Sequence, residues 1–254
     1  MNNREKARAI LEAQSSGDIS NLGDFAAADM IQHDLRIPDG LRGLEEVILQ
    51  AEERPVITVV RAFEDGDYVV LHCRYQFSDR AEVGFEVYRF EDGLAVEHWN
   101  NLTPQAAPNR SGHTQLDGTR EIGTDNRDLK KNKQVAERYV REVLSHSGKE
   151  AQLPAFFHGN EHIEHNSHGA DTVQAIIDLF AGDKGSGIEI HYTEIHRILG
   201  QGNFVLTMCE GTWDGTATSF YDLFRLEEGK IREHWDVIEI YGAEGEPRNE
   251  NGKF

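Results

Sequence analysis

The sequence predicts two α+β domains in tandem, each with helices first and a curled antiparallel sheet after them. Residues 61–100 align with residues 197–236 without a gap, at a shift of 136, and eleven of the aligned pairs are identical. In both halves, amphipathic segments precede four successive strand-like segments, which is the order of an α+β domain. The period is too long for a solenoid repeat, whose units have roughly 20–50 residues. The chain is therefore a duplicated domain.

The elements follow the same order in both halves. An amphipathic helix is predicted over 3–15 and again over 129–146. A short helical stretch, a histidine-bearing strand and a second helix follow. The remaining strands are predicted at 56–63, 67–78, 82–90 and 94–102, and at 188–198, 203–213, 216–226 and 230–241. The turns "EDG" and "EEG" join the last two strands of each half into a hairpin.

The expected domains are residues 1–102 and residues 129–254. Between them, residues 103–128 have two prolines, three glycines and no hydrophobic periodicity, so we expect a linker or an arm. Each half is long enough to form its own hydrophobic core.

Composition excludes several classes of function. The formal net charge of −19 opposes binding to nucleic acid and to anionic membranes. The N-terminal segment lacks the apolar core of a secretory signal, and no segment approaches the roughly 20 apolar residues of a membrane span. Cys73 and Cys209 occupy equivalent strand positions and are expected to be buried thiols, which suits a cytoplasmic location.

Four segments resemble SnoaL-like domains, the polyketide-cyclase branch of the NTF2-like superfamily. They are "IQHDLRIPDGLRGL" (31–44), "FEVYRFEDGLAVEHWN" (85–100), "IEHN" (163–166) and "FYDLFRLEEGKIREHWDVIEI" (220–240). The resemblance implies cystatin-like cone domains, in which helices close one side of a bent sheet around a mostly apolar cavity. Such domains commonly pair through the sheet, so we expect the tandem copies to form an intramolecular pseudo-dimer, as a monomer or a higher homo-oligomer. The fold alone does not define the reaction, because the superfamily includes cyclases, isomerases, lyases and binding modules.

Asp222 is the first candidate catalytic residue. In the strand "SFYDLFRL", Phe220, Asp222 and Phe224 share one face. A buried, unpaired carboxylate is costly, so this group either faces a cavity, takes up a proton, or is held by Arg225 or by backbone groups. The resemblance to ketosteroid isomerase, whose aspartate aligns here, implies a protonated carboxyl group that donates a hydrogen bond to an enolate oxygen.

His165 is the second candidate. The same resemblance places it where ketosteroid isomerase has its carboxylate base, and a neutral imidazole can accept a proton near neutral pH. The alternative is a histidine bonded to the backbone. The neighbouring His162 and His168 suggest a metal, but residues 162 and 165 point to opposite faces of a strand. Because no cysteine or paired carboxylate completes a ligand set, we expect no metal.

His234 and Asp236 share one face of the strand "REHWDVIE". Resemblance to polyketide cyclases implies a general acid/base role for Asp236. The equivalent residue in the first half is Asn100, whose amide cannot exchange a proton, so the second domain is the better catalytic candidate. The candidate ligand-binding residues are Phe220, Phe224, Asn166 and Trp213 in the second half, and His33, Glu86, His98 and Asn100 in the first.

Two functions remain open. The first is an enzyme that moves a proton next to a carbonyl group, as an aldol-type cyclase or an isomerase acting on a small apolar carbonyl compound. His165 or Asp236 would be the base and Asp222 the oxyanion donor, and we expect no cofactor, because no glycine-rich phosphate loop is present. The second is a non-catalytic NTF2-like module that binds a small apolar ligand. Convergence of the three side chains on one cavity would favour the enzyme.

Overall fold

The computed structural model describes residues 1–145, 150–186, 189–241 and 246–254, with the backbone alone for residue 150 and residues 180–186. The chain divides into two compact units, Met1–Gln105 with Glu244–Phe254, and Ala106–Ala243. The expected linker is thus split: its first residues end the last strand of the first domain, and residues from 106 onward belong to the second.

The first domain contains two helices and a five-stranded sheet. Its elements are α1 (Asn3–Ser16), a 3₁₀ turn (Leu22–Asp24), β1 (Ala26–Gln32), α2 (Gly40–Gln50), β2 (Val56–Asp65), β3 (Tyr68–Gln76), β4 (Ala81–Glu91) and β5 (Leu94–Pro104). The strand order is β1-β5-β4-β3-β2. β1 runs parallel to β5, and the other neighbours are antiparallel.

The second domain repeats this plan. Its elements are α3 (Leu129–Tyr139), a π-helical turn (Val140–Leu144), a 3₁₀ segment (Glu150–Ala155), β6 (Ile163–Glu164), α4 (Val173–Ser186), β7 (Ile190–Gln201), β8 (Phe204–Trp213), β9 (Thr216–Glu227) and β10 (Lys230–Ile240). The strand order is β6-β10-β9-β8-β7, with β6 parallel to β10. The predicted α+β fold, in two copies, is confirmed. Residue 146 of the predicted helix and residue 188 of the predicted strand lie outside the described residues.

Local sequence explains where these elements begin and end. Asn2 and Glu5 form a capping box at the start of α1, and Gly17 ends the helix in the left-handed conformation. Asp92 and Gly93 both have positive φ, at 48° and 79°, which is the backbone that a tight hairpin turn between β4 and β5 requires.

In both domains the helices pack on one face of the sheet. In the second domain, Tyr139 from α3 packs against Phe156, Phe157 and Phe224, with ring centroids 5.3–5.7 Å apart. Cys73 and Cys209 lie on the helix-covered faces and are both buried and free. Every helix in the described part of the chain is too short or too polar to cross a lipid bilayer.

Candidate active site

β9 and β10 bring three predicted residues together on the helix-covered face of the second domain. Asp222 lies directly opposite Asp236, and Phe224 lies directly opposite His234, in the antiparallel register. All four side chains are buried or nearly so. The alternation of side chains along the strands places them on one face, as the sequence predicted.

His234 is the centre of a buried ion-pair network. Its Nδ1 lies 2.9 Å from Oε1 of Glu164, and its Nε2 lies 3.1 Å from Oδ1 of Asp222. Burial opposes a charge on the ring, but the carboxylates of Glu164 and Asp222 outweigh it and raise the pKa of His234 well above its ordinary value. The imidazole ring also stacks on Phe224, with centroids 5.0 Å apart. His234 is therefore a cation fixed within the site.

Glu164 complements this cation. Burial disfavours its ionised form, but His234 and His162 outweigh that cost and hold the pKa of Glu164 well below its usual range. Its Oε2 lies 3.0 Å from Nε2 of His162, and its Oε1 accepts bonds from the backbone N–H groups of His165 and Asn166. Glu164 is thus an ionised, fully bonded carboxylate.

Asp236 differs from the other carboxylates. Burial raises its pKa from 3.8 to about 7, and the nearby carboxylates of Glu164 and Asp222 add to the rise, although the His234 cation opposes it. Asn166 Nδ2 donates to Asp236 Oδ2 at 2.6 Å and fixes the side chain. A carboxyl group with a pKa near 7 can both release and accept a proton at neutral pH.

Asp222 accepts hydrogen bonds rather than donating them. His234 Nε2 and the Tyr192 hydroxyl group, at 3.3 Å, both point at its Oδ1. Its Oδ2 is buried and has no hydrogen-bond partner among the described residues. The expected role of Asp222, as a carboxyl group that donates a hydrogen bond to an enolate oxygen, stays a prediction, because both observed donors meet at Oδ1 and Oδ2 is left without a partner among the described residues.

His165 does not join this site. It lies on the opposite face of the sheet, where its ring stacks on Trp235 with centroids 4.7 Å apart. Its Nε2 lies 3.0 Å from Oε1 of Glu233, and its Nδ1 lies 2.9 Å from the carbonyl oxygen of Thr114. Of the three side chains whose convergence would favour an enzyme, Asp222 and Asp236 lie together, but β6 directs Glu164 inward and His165 outward.

The remaining candidates of the second domain have different surroundings. Phe220 and Phe224 are buried in the hydrophobic core on either side of Asp222, and Phe220 stacks on Tyr192 at 4.2 Å. Trp213 is half-buried at the end of β8, where it packs against the edge of that core. Phe220 and Phe224 therefore lie beside the carboxylate pair, and Trp213 lies at the edge of the core.

The first domain has a related but different network. His98 lies 2.8 Å from Gln32 Oε1 and 2.5 Å from Glu86 Oε2, and the Tyr75 hydroxyl group donates to the other oxygen of Glu86. His33, like His165, lies on the opposite face and stacks on Trp99. Each oxygen of Glu86 thus has a donor, whereas Asp222 has one oxygen without one.

Each domain contains a hydrogen-bonded Asp–Asn pair, and the two residue types exchange positions between the domains. In the first domain Asn100 Nδ2 donates to Asp34 Oδ2 at 2.7 Å, and in the second Asn166 donates to Asp236. Burial disfavours ionisation of Asp34, but Arg36 and the buried Lys253 outweigh it and hold its pKa well below its usual range. The first domain therefore keeps the carboxylate, at a position where cations hold it ionised.

Residues 7–98 match the family of proteins described as SnoaL-like domains. The first domain is a SnoaL-like domain.

No curated protein matches the chain significantly. Similar solved structures include a SnoaL-like polyketide cyclase from Agrobacterium tumefaciens, 13% identical with a TM-score of 0.34, covering 41% of this chain and 92% of its own. An NTF2-like protein from Burkholderia xenovorans is 18% identical with a TM-score of 0.36, covering 48% and 95%. IdmH from Streptomyces antibioticus is 21% identical with a TM-score of 0.34, covering 40% and 92%.

Sequence reasoning missed several residues of the two networks. Glu164 adjoins His165 in the sequence, so strand alternation could have placed one of them inward. In the SnoaL-like first domain, Lys253 comes from the C-terminal segment, and nothing local indicates its contact with Asn100. Tyr192 lies on β7, and its bond to Asp222 depends on the folded sheet.

Two groups among the described residues have the spacing of metal ligands. They are His113, Asp117 and His165 in one group, and Glu194, His196 and Glu210 in the other. Neither group includes Asp222, His234 or Asp236.

Proposed function

We propose that the second domain is an enzyme that moves a proton at the carbon next to a carbonyl group, as in an aldol-type cyclisation or an isomerisation. The main support for this proposal is the raised pKa of Asp236, which burial and the neighbouring carboxylates bring to about 7. A general base is most effective when its pKa lies near the working pH, and such groups contribute roughly 10²–10⁴-fold to the rate.

Each residue has a role in this scheme. Ionised Asp236 takes the proton from the α-carbon, and the electron pair of the C–H bond moves into the enolate. Asn166 holds Asp236 in place through its 2.6 Å bond. His234, fixed between Glu164 and Asp222, supplies a positive charge on the same face, which favours the negative enolate. In an isomerisation the enolate takes back the proton from Asp236 at another carbon. In an aldol cyclisation it attacks a second carbonyl carbon of the same molecule, and the alkoxide that results takes the proton from Asp236.

The substrate class follows from the surroundings of the carboxylates. Phe220 and Phe224 flank Asp222 on the same face, and Tyr139 contacts Phe224. Aromatic neighbours of this kind favour a small apolar compound that carries a carbonyl group. The chemistry needs only a base and a charge that stabilises the enolate, so the proposal includes no cofactor.

We propose a non-catalytic, ligand-binding or supporting role for the SnoaL-like first domain. Asn100 occupies the position of Asp236, and an amide does not exchange a proton at neutral pH. The carboxylate of Asp34 is held ionised by Arg36 and Lys253. A carboxyl group with such a low pKa is a weak base, which argues against proton abstraction in this domain.

The test is exchange of the α-protons of 2-tetralone, an apolar ketone, for deuterium in D₂O, followed by proton NMR with the full-length protein. Wild type should accelerate exchange above the buffer rate. Asp236→Asn should lose about 10²-fold or more, whereas Asp34→Asn, the equivalent change in the first domain, should retain the wild-type rate. Exchange that persists in Asp236→Asn would contradict the assignment. Bound 2-tetralone without accelerated exchange would favour the non-catalytic binding module.

A further inference from the structure

His165, which the active site does not use, lies in an unusual environment. Its Nε2 faces Glu233 at 3.0 Å, and its Nδ1 faces both the Thr114 carbonyl oxygen at 2.9 Å and Asp117 Oδ1 at 2.8 Å. All three neighbours are oxygen acceptors. When Nε2 donates its hydrogen to Glu233, the lone pair of Nδ1 is directed at two oxygens, which is favourable only if a proton or a metal cation lies between them.

A second histidine completes the arrangement. One ligand atom each from His113, Asp117 and His165 lies within 4.8 Å of the others. The His113 ring lies 5.1 Å from the His165 ring, centroid to centroid. Bonds of about 2.0–2.2 Å to one ion require ligand atoms at most about 4.4 Å apart, so the three side chains are at or close to the spacing that one ion needs.

The surroundings of both histidines match those of metal ligands. His165 Nε2 bonds the carboxylate of Glu233, and His113 Nε2 lies 3.1 Å from Asp171 Oδ2. Metal-bound histidines usually direct their second nitrogen at a carboxylate or a carbonyl group, which fixes the ring and increases its basicity. Trp235 stacks on His165 and holds the ring plane. Two histidines with carboxylate partners and one further carboxylate thus face a common point.

We propose that His113, Asp117 and His165 bind a divalent first-row metal ion of the Zn²⁺ type. Two imidazoles and a carboxylate suit Zn²⁺ and its neighbours better than Ca²⁺ or Mg²⁺, which prefer all-oxygen sites. The side chains of His113 and Asp117 are about one-third exposed, at 32% and 41%, so an ion can enter and water can complete the coordination. His165 is the buried ligand, on the opposite face of the sheet from Asp236.

The SnoaL-like first domain provides an internal comparison. His33 has the same position as His165, stacks on Trp99, and faces Gly252 O at 3.0 Å and Glu97 Oε1 at 3.1 Å. Neither metal-ligand group found in the described residues includes His33. Among the described residues, His113 and Asp117 give His165 the additional ligands that an ion needs.

The site would fix the segment 106–117 on the second domain. This segment already bonds the domain through Asn109 Nδ2, which donates to the carbonyl oxygen of Glu164 at 2.7 Å. His113 and Asp117 belong to the segment, and His165 follows β6. A bound ion therefore joins the segment to the sheet edge and stabilises the second domain.

The experiment uses tag-free, full-length protein treated with a chelator and then titrated with Co²⁺ and Zn²⁺. We expect one Co²⁺ per chain with visible d–d absorption, competition by Zn²⁺, and an increase in Tm of about 5 °C when Zn²⁺ is present at about 100 times its Kd. His113→Ala and Asp117→Asn, both at partly exposed positions, should abolish the absorption. His196→Ala, in the other candidate group, should leave it unchanged.

Three results would overturn the proposal. They are the lack of Co²⁺ absorption and of any Tm increase in wild type, retention of the Co²⁺ signal in His113→Ala and Asp117→Asn, and loss of the signal in His196→Ala alone. Circular dichroism spectra of the variants must match wild type. If His113→Ala does not fold, Asp117→Asn decides the question, because its side-chain oxygen still accepts the bond from Thr114 N.

Discussion

Replacing Asp236 by Asn tests the acid/base assignment with the smallest change of shape. The new amide oxygen can still accept the hydrogen bond from Asn166, and the first domain already accommodates an amide at Asn100. The variant removes the carboxyl group whose pKa is raised by burial to about 7. We expect the rate of α-proton exchange to fall by about 10²–10⁴-fold.

The same variant should be more stable than wild type at high pH. The folded domain holds the Asp236 proton more tightly than the unfolded chain does, because the pKa rises from 3.8 to about 7. Between these two values the folded state binds more protons, so the free energy of unfolding decreases as the pH rises. At about 1.4 kcal/mol per pKa unit, the fully ionised carboxylate costs about 4 kcal/mol. The weaker bond to Asn166 in the variant offsets about 1 kcal/mol of the gain.

The assay combines exchange of 2-tetralone α-protons with urea denaturation at pH 5 and pH 8. We expect Asp236→Asn to lose exchange at both values and to exceed wild type in stability at pH 8 by about 3 kcal/mol. The double variant Asp236→Asn, Asn166→Asp copies the order found at Asn100 and Asp34. It should fold and stay inactive, because the carboxylate then lies at position 166 instead of position 236 and no longer reaches the proton that the base must remove.

Two results would refute this reasoning. Full exchange activity in Asp236→Asn would remove this residue from proton transfer. A variant less stable than wild type at pH 8 would show that the ionised carboxylate stabilises the fold, which is opposite in sign to the effect of a raised pKa.

Three further variants test the surrounding network. Glu164→Gln should lose about 3–5 kcal/mol in urea denaturation at pH 7, because it removes one of the two carboxylates that flank the buried His234 cation. That loss should shrink as the pH falls below 4.5, since the low pKa of Glu164 contributes stability only above its unfolded value. His165→Asn should keep the exchange rate within about 3-fold of wild type while lowering Tm, since the ring lies on the opposite face. Lys253→Met should leave exchange unchanged and lower stability at pH 7 by about 1–3 kcal/mol, because the buried Asp34 carboxylate loses one of the two cations that hold its pKa low.

Strand periodicity accounts for the part of the site that the sequence predicted. On β9 and β10 the side chains alternate without interruption around Asp222, His234 and Asp236, so a period of two placed them on one face. The same reasoning failed at His165 because β6 has only two residues, too few to show an alternation. The stacking of His165 on Trp235, repeated at His33 and Trp99, explains why the repeat retains both residue types.

The first half has Asn100 at the end of "EHWN", where the second half has Asp236 at the end of "EHWD", and the opposite exchange occurs elsewhere in the sequence. "IQHD" ends in Asp34 where "IEHN" ends in Asn166, so the carboxylate and the amide exchange places between the copies. The sequence shows both exchanges but not that they are linked. The link is a hydrogen bond between residues 66 positions apart in the first domain and 70 positions apart in the second. Contacts of this kind, including those of Tyr192 and Lys253, have no local signal in the sequence.

The pH dependence of α-proton exchange tests the central claim most directly. The rate of 2-tetralone exchange is measured from pH 5 to pH 9 with wild type and with Asp236→Asn at equal concentration. If ionised Asp236 is the base, the wild-type rate rises with pH through a midpoint near 7 and levels off above it, and the variant shows no such rise. A rate independent of pH across this range, or the same profile in the variant, would contradict the account.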